Sequence, residues 1–221
     1  MPRTLLLDLD GTLVHSVPDL AAALNRLLAR RALPALSEPA VTAMVGDGAA
    51  ALLKRAFAAN GQAQDDGALD EFLADYTAHA AVLTRPYPGV EDGLRALAAA
   101  GWRLAVCTNK PAAAAHAVLA ALGLDGWFAA VGGGDSFATR KPDPGHLLAT
   151  LAAAGGDPAR AVMAGDHHND VLAAMSASVP CIYARWGYGR PEMAEGAAAI
   201  AGSFGELVGI AEALLPGVRT Q

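Results

Sequence analysis

Short apolar runs that each end in polar or glycine-rich residues recur along this chain and constrain its fold more than any other feature. Segments with helical periodicity lie between most of these runs; in residues 90–98, for example, the apolar side chains share one face and Gly101 follows. Strands that alternate with helices predict an α/β fold, a parallel sheet covered by helices on both faces. The predicted strands are residues 4–8, 103–107, 129–131, 161–164 and 179–183.

One long segment interrupts this alternation. Residues 16–83 contain helical patterns with N-cap residues and glycine or proline breakers, and they contain no strand pattern. This segment therefore predicts an all-helical insertion after the first strand that covers its carboxyl end. Residues 1–15 and 84–221 would then form the core with the parallel sheet.

Composition excludes several classes of protein. The net charge of −6 and the 5% of aromatic residues argue against a nucleic-acid binder. Charged residues or proline interrupt every apolar stretch, so no stretch reads as a membrane-spanning helix. Cys107 and Cys181 lie inside apolar runs, and the first residues lack a signal-peptide pattern, which together predict a cytoplasmic protein. A monomer and a homodimer are both compatible with the sequence.

Two pairs of carboxylates follow predicted strands. Asp8 and Asp10 come one residue apart in the sequence DLDGT, and Asp166 and Asp170 follow the fourth strand in GDHHND. Neighbouring carboxylates repel each other unless a cation lies between them, and a set of oxygen ligands suits Mg²⁺. The alternatives are an acidic turn for the first pair and an ordinary helix N-cap for the second. Adjacent histidines at 167 and 168 raise zinc as a further alternative, but no third His or Cys lies at ligand spacing.

Two more predicted strands end in groups that could hold a phosphoryl group. Thr108 and Asn109 offer a hydroxyl and a backbone amide, and Lys141 stands before Pro142 at the entrance to a helix. Taken singly, the threonine would be a local cap and the lysine a solvated side chain. Because carboxyl ends of parallel strands meet at one edge of the sheet, we expect these groups to lie beside the carboxylates. Together they provide what phosphoryl transfer needs.

The order of these motifs resembles the haloacid dehalogenase superfamily, whose pattern is DxDGT, a Thr or Ser after a strand, a Lys, and GDxxxD. The resemblance extends over essentially the whole chain. It is closest to the phosphoglycolate phosphatase branch, through the sequences LDLDGTLV, YPGV, CTNKP, GGDS and KPDP.

The resemblance implies a Rossmann-like core, residues 1–15 and 84–221, with an all-helical cap domain, residues 16–83. It also implies a magnesium-dependent phosphatase that acts on a small anionic phosphomonoester. It implies that Asp8 is the nucleophile and that Asp10 is the general acid/base, with its backbone carbonyl on the metal. Asp166 would ligate Mg²⁺, and Asp170 would order its waters or Lys141. Thr108, the backbone amide of Asn109 and Lys141 would bind the phosphoryl oxygens, and Gly11 and Thr12 would be further substrate-binding residues.

Two positions depart from the branch. His15 replaces a common Asp where the chain enters the cap, and His167 replaces a common Ser or Thr. Asp10 argues against a dehalogenase proper, which has no leaving group to protonate. A sugar-phosphate mutase or sugar phosphatase remains an alternative, as does a catalytically silent binding module, although no catalytic carboxylate is missing.

The cap contains a residue that could recognise the leaving group of the substrate. Residues 45–48 form a glycine-flanked turn, VGDG, before a helix that carries Lys54 and Arg55. A carboxylate of phosphoglycolate needs a cation or backbone amides. We therefore predict that Arg55 contacts that carboxylate, against the alternative that it only solvates the outer face of its helix.

Overall fold

The computed structural model describes residues 2–217 and contains a six-stranded parallel sheet with the strand order β5-β4-β1-β6-β7-β8. This confirms the predicted α/β fold. The strands are β1 (Thr4–Leu7), β2 (Val14–His15), β3 (Arg85–Pro86), β4 (Arg103–Cys107), β5 (Ala130–Gly132), β6 (Ala161–Gly165), β7 (Cys181–Ala184) and β8 (Ala199–Ala201). The α-helices are α1 (Val17–Arg30), α2 (Glu38–Thr42), α3 (Ala49–Ala59), α4 (Ala68–Ala78), α5 (Val90–Ala99), α6 (Ala112–Ala121), α7 (Pro144–Ala153), α8 (His168–Ser176) and α9 (Phe204–Leu214).

The central strand β1 is buried on both faces. Leu5 and Leu7 point into the larger of two apolar cores, with α5, α6 and α9, whereas Leu6 points into the smaller one, with α7 and α8. This alternation follows from the two-residue period of a strand. Each fully buried leucine contributes about 1.5–3 kcal/mol to folding, so an apolar run without polar interruption is the sequence that this position requires.

Helices α1 to α4 lie between the short strands β2 and β3. These two strands pair antiparallel, with Val14 opposite Pro86, so the chain leaves and re-enters the core at one place. An ion pair between Arg26 and Asp75, 2.7 Å apart, joins α1 to α4, and α4 also packs against α6 of the core. The four helices are thereby held over the carboxyl end of β1.

Strands β2, β3 and β8 lie outside the predicted strands. The first two contain only two residues each, which is too short for a strand pattern. The three residues of β8, Ala-Ile-Ala, carry almost no strand signal and pair only with β7 at the edge of the sheet. Within residues 2–217, every helix is too short or too polar to cross a membrane.

Candidate active site

Asp8 follows β1 directly and is bound by a buried lysine. Its amide donates to the carbonyl of Ala164 at 2.9 Å, which extends the parallel pairing of β1 and β6 by one residue. The ammonium of Lys141 donates to Asp8 Oδ1 at 2.9 Å, to Asp170 Oδ1 at 2.5 Å and to the carbonyl of Cys107 at 2.5 Å. All three N–H groups of Lys141 are therefore used, and its position is defined by Asp8 after β1, by the end of β4 and by Asp170 in the first turn of α8.

Three buried carboxylates form a cluster at this edge of the sheet. Asp8, Asp166 and Asp170 each present a carboxylate oxygen within 4.8 Å of the others. Burial raises the pKa of Asp8 to about 6, with Lys141 opposing the rise. Burial, followed by the charges of Asp8 and Asp170, raises the pKa of Asp166 to about 8. The cluster therefore has more negative charge than Lys141 alone balances.

The turn after β1 brings the chain against Asp166. Gly11 has φ +88°, and a Cβ at this position would lie 2.3 Å from an oxygen of Asp166, so only glycine fits. The hydroxyl of Thr12 then donates to Asp166 Oδ1 at 2.9 Å. Thr12 is fully buried and does not line the cavity, in contrast to its predicted contact with substrate. Its side chain orients Asp166 instead.

Asp10 points away from the carboxylate cluster. Its Oδ1 accepts from the hydroxyl of Ser16 at 2.5 Å, and both of its oxygens accept from the ammonium of Lys110, at 3.0 and 3.1 Å. Strand β1 ends at Leu7, and the two carboxylates have different partners: Lys141 holds Asp8, whereas Ser16 and Lys110 hold Asp10. The Asp10 side chain therefore lies outside the group of carboxylates that could hold a metal ion.

A cavity of about 540 Å³, including its mouth, opens between the sheet and the helices that precede β3. Asp8, Asp10 and Thr108 line one side of it, as predicted from the strand ends. Asn109 also lines the cavity, and its side-chain amide donates to the carbonyls of Gly46 at 3.1 Å and Lys141 at 2.9 Å. Asn109 therefore joins the loop before α3 to the loop that carries Lys141.

The structure places two further groups here that the sequence reasoning missed. Lys110 is buried, and its ammonium donates to the hydroxyl of Tyr76 at 2.8 Å as well as to Asp10. Lys110 could have been suspected, because it follows Thr108 and Asn109 at the same strand end. No sequence pattern indicated Tyr76, because its spacing is that of an ordinary core residue on the apolar face of a helix in the insertion.

Tyr188 is the other residue that no motif indicated. Its backbone amide donates to Asp166 Oδ2 at 2.7 Å, and its hydroxyl accepts from the amide of Ser16 at 2.7 Å and lies 3.1 Å from His15 Nδ1. Gly187 lies so close to Asp166 that a Cβ would approach the carboxylate to 2.5 Å. The loop after β7 therefore closes over Asp166.

Arg55 is not brought to the cavity, in contrast to its predicted contact with the substrate. Its guanidinium pairs with the carboxylate of Asp47 and donates to the carbonyl of Met44 at 2.8 Å. Asp47 is the acidic residue of the same glycine-flanked turn, and its carboxylate balances the charge of the Arg55 guanidinium. Asp47 also accepts from Asn169 at 2.7 Å and lies beside the two histidines at 167 and 168.

Comparison with known proteins agrees with this geometry. The sequence profile of the haloacid dehalogenase-like hydrolases matches residues 2–178. The phosphoglycolate phosphatase of Rhodospirillum rubrum is 45% identical over 216 residues, which cover 94% of this chain and 90% of that protein. The phosphoglycolate phosphatase of Caulobacter vibrioides is 46% identical over 189 residues, which cover 84% of this chain and 80% of that protein.

Solved structures give the same result. The crystal structure of a predicted phosphoglycolate phosphatase from Haemophilus somnus superimposes with a TM-score of 0.87 at 32% identity, and the match covers 94% of this chain and 97% of that one.

Proposed function

This chain belongs to the haloacid dehalogenase-like hydrolase family and is a phosphatase, and we propose that it hydrolyses phosphoglycolate or a similar small phosphomonoester through a phosphorylated Asp8. The observation that carries this proposal is the buried carboxylate of Asp8, held by Lys141 at the wall of a cavity that Asp10 also lines. A nucleophile, an acid/base and a phosphate-binding cation then lie around one space.

Asp8 and Asp10 have separate roles in the proposed reaction. An oxygen of Asp8 attacks phosphorus, the bond from phosphorus to the substrate oxygen breaks, and Asp10 gives its proton to the leaving alkoxide. Asp10 then takes a proton from water, whose oxygen attacks the phosphorus and releases phosphate and free Asp8. Lys141 holds one oxygen of Asp8, so the other oxygen is free to attack.

The phosphoryl oxygens need donors while this charge moves. The hydroxyl of Thr108 and the backbone amide of Asn109 lie at the end of β4, beside Asp8, and are the donors offered there. The ammonium of Lys141 lies between Asp8 and Asp170, and because its three N–H groups are already used, it contributes positive charge to the site. Donors that are already fixed in place stabilise the transition state without a cost of reorganisation.

The carboxylate cluster fits a magnesium ion. Three buried carboxylates beside one lysine leave an excess of negative charge, and carboxylate oxygen is the ligand type that Mg²⁺ prefers. We infer that Asp8, Asp166 and the backbone carbonyl of Asp10 hold the ion and that Asp170 orders Lys141. When bound, the ion supplies positive charge that lets an anionic nucleophile approach an anionic substrate.

Residues 16–83 act as the cap in this proposal. Asp19 in α1 accepts from the amides of Leu83 and Thr84, at 3.0 and 2.8 Å, so the two connections of the segment are tied to each other. The buried, free cysteines at 107 and 181 are compatible with the cytoplasmic location that the sequence suggests.

Phosphate release tests the activity directly. We expect the enzyme to release inorganic phosphate from para-nitrophenyl phosphate and from phosphoglycolate when Mg²⁺ is present, with phosphoglycolate preferred over sugar phosphates. A preference for a sugar phosphate, or isomerisation of one without phosphate release, would favour the mutase or sugar phosphatase alternative. No release from any substrate would leave only a silent binding module.

The stabilisation by Mg²⁺ should depend on pH. In the metal-free protein, Asp8 and Asp166 keep protons up to about pH 6 and pH 8, whereas the unfolded chain loses them near its ordinary value of 3.8. The folded state therefore binds more protons between about pH 4 and pH 8, and its stability falls as the pH rises through that window. Because Mg²⁺ competes with these protons, it should raise Tm more at pH 8 than at pH 6.

Thermal unfolding with EDTA or excess MgCl₂ measures this effect. At 100 times Kd, a bound ion adds about 2.7 kcal/mol, or about 5–11 °C for a chain of this size. Asp166→Asn should remove most of the rise at both pH values. An equal rise at pH 6 and pH 8 in the native enzyme would contradict the assignment of the raised pKa values to the metal ligands.

A further inference from the structure

Lys110 is a second buried cation in the cavity, and the phosphoryl chemistry does not use it. Its side chain is 4% exposed, and its ammonium lies between Asp10 and Tyr76, 4.4 Å from the centre of the Tyr76 ring. Lys141 already supplies the cation beside Asp8. Burial of a lysine is costly without compensation, so a second buried ammonium at the cavity wall calls for a different role.

The hydrogen bonds of Lys110 and Tyr76 leave two donors for a ligand. An ammonium has three N–H groups at tetrahedral angles, whereas the two oxygens of Asp10 belong to one carboxylate and lie in nearly the same direction from the nitrogen. One shared N–H therefore serves Asp10 and a second serves Tyr76, which leaves the third. The hydroxyl of Tyr76 accepts from Lys110, so its own hydrogen is directed elsewhere. Both residues line the cavity. A ligand group that accepts two hydrogen bonds and carries a negative charge matches this pair, as a carboxylate does.

The position of Lys110 also limits the size of the ligand. Its backbone amide donates to the hydroxyl of Thr108 at 3.2 Å, so the lysine is anchored next to the group that we assign to the phosphoryl oxygens. A second anion bound by Lys110 therefore lies close to the phosphoryl group in the same molecule. Beyond the lysine the wall becomes apolar, with Leu52, Phe72 and Ala114, which does not suit the hydroxyl groups of a sugar.

We infer that Lys110 and Tyr76 form a carboxylate-binding subsite for the leaving group, which makes the enzyme selective for phosphorylated short hydroxy acids. The inference rests on the proposed phosphatase function and replaces Arg55, which is paired with Asp47, as the group that reads the carboxylate. Lys110 also separates the carboxylate of the substrate from the negative charge of Asp10, which would otherwise repel it.

Two substrates that differ only at this group test the subsite. Phosphoglycolate and ethyl phosphate are both alkyl phosphates with poor leaving groups, but ethyl phosphate has a methyl group in place of the carboxylate. Any disturbance of Asp10 by a change at Lys110 should therefore slow both substrates, whereas loss of the subsite affects phosphoglycolate alone. We expect the native enzyme to prefer phosphoglycolate, chiefly through a lower KM.

Substitutions at both residues should reduce this preference. Lys110→Met should lower kcat/KM for phosphoglycolate about 10- to 100-fold more than for ethyl phosphate, and Tyr76→Phe about 3- to 10-fold more, as expected for a charged and a neutral donor. Lys54→Met, on the exposed side of α3, is the matched control and should leave the ratio of the two substrates unchanged.

The outcomes separate the subsite from the activity itself. Equal losses on both substrates, in a folded Lys110→Met and in Tyr76→Phe, would overturn the subsite and leave the phosphatase in place. If Lys110→Met does not fold, an unchanged ratio in Tyr76→Phe alone would overturn it, because that variant removes a single hydroxyl. Failure of the native enzyme to release phosphate from para-nitrophenyl phosphate would instead contradict the proposed function.

Discussion

Replacing Asp8 by asparagine should lower phosphate release by about 10⁴- to 10⁶-fold, as expected when a covalent nucleophile is removed. The amide has the shape of the carboxylate but cannot form the phosphorylated intermediate. The fold should survive, because the substitution removes one negative charge from a buried cluster in which burial already raises the pKa of Asp8. Lys141 also keeps its bonds to Asp170 and to the carbonyl of Cys107.

Three measurements check this prediction: phosphate release, the Tm of the variant, and binding of beryllium fluoride, which mimics a phosphorylated aspartate. The native enzyme should bind beryllium fluoride and the variant should not. Asp125→Asn, at an exposed aspartate remote from the cavity, is the matched control and should retain native activity. Undiminished turnover in Asp8→Asn would rule out Asp8 as the nucleophile.

The second large effect concerns Asp10 and depends on the leaving group. Proton transfer by a positioned acid contributes about 10²- to 10⁴-fold to such reactions. Asp10→Asn should therefore slow hydrolysis of ethyl phosphate, whose alkoxide needs a proton, by about that factor. It should slow para-nitrophenyl phosphate far less, because nitrophenolate leaves without one. The hydroxyl of Ser16 can still donate to the amide oxygen at this position.

A comparison of kcat on the two substrates measures this difference. Ser16→Ala supplies a useful contrast, because it removes a hydrogen bond to Asp10 and retains the carboxyl group. Ser16→Ala should lower kcat less than Asp10→Asn does, and the decrease should depend on the leaving group in the same way. If Asp10→Asn slows both substrates by the same factor, Asp10 does not act as the general acid.

Much of the fold could be predicted from the sequence because its signals are local. Uninterrupted apolar runs such as residues 4–7 can be satisfied only by a strand buried on both faces. The rule that ligands lie at the carboxyl ends of parallel strands then predicts that Asp8, Thr108, Lys141 and Asp166 should converge. The structure brings these four residues to one edge of the sheet. Strand β8 could not be predicted because it has only three residues and forms by pairing with β7 at the edge of the sheet.

The partners of the site residues could not be predicted in this way. Thr12 is adjacent to the DxD pair in sequence, but the turn at Gly11 directs its hydroxyl to Asp166. Arg55 is a basic residue on a suitable helix, but its guanidinium forms an ion pair with the nearby carboxylate of Asp47 and does not reach the cavity. In both cases the direction of a side chain is decided by which acceptor lies nearest in space, and the sequence pattern does not contain that distance.

The sequence by itself determined the class of fold, the family and the set of groups that we propose for phosphoryl transfer, since each of these depends on residue type and spacing along the chain. Only the tertiary structure decided which cation faces the leaving group. Lys110 and Tyr76 are 34 residues apart in the sequence and lie on opposite sides of the cavity. Lys110 follows strand β4 of the core, and Tyr76 lies in helix α4 of the insertion. They meet because α4 packs against α6, a contact set by the shapes of two apolar helix faces, and neither helix carries a motif for it.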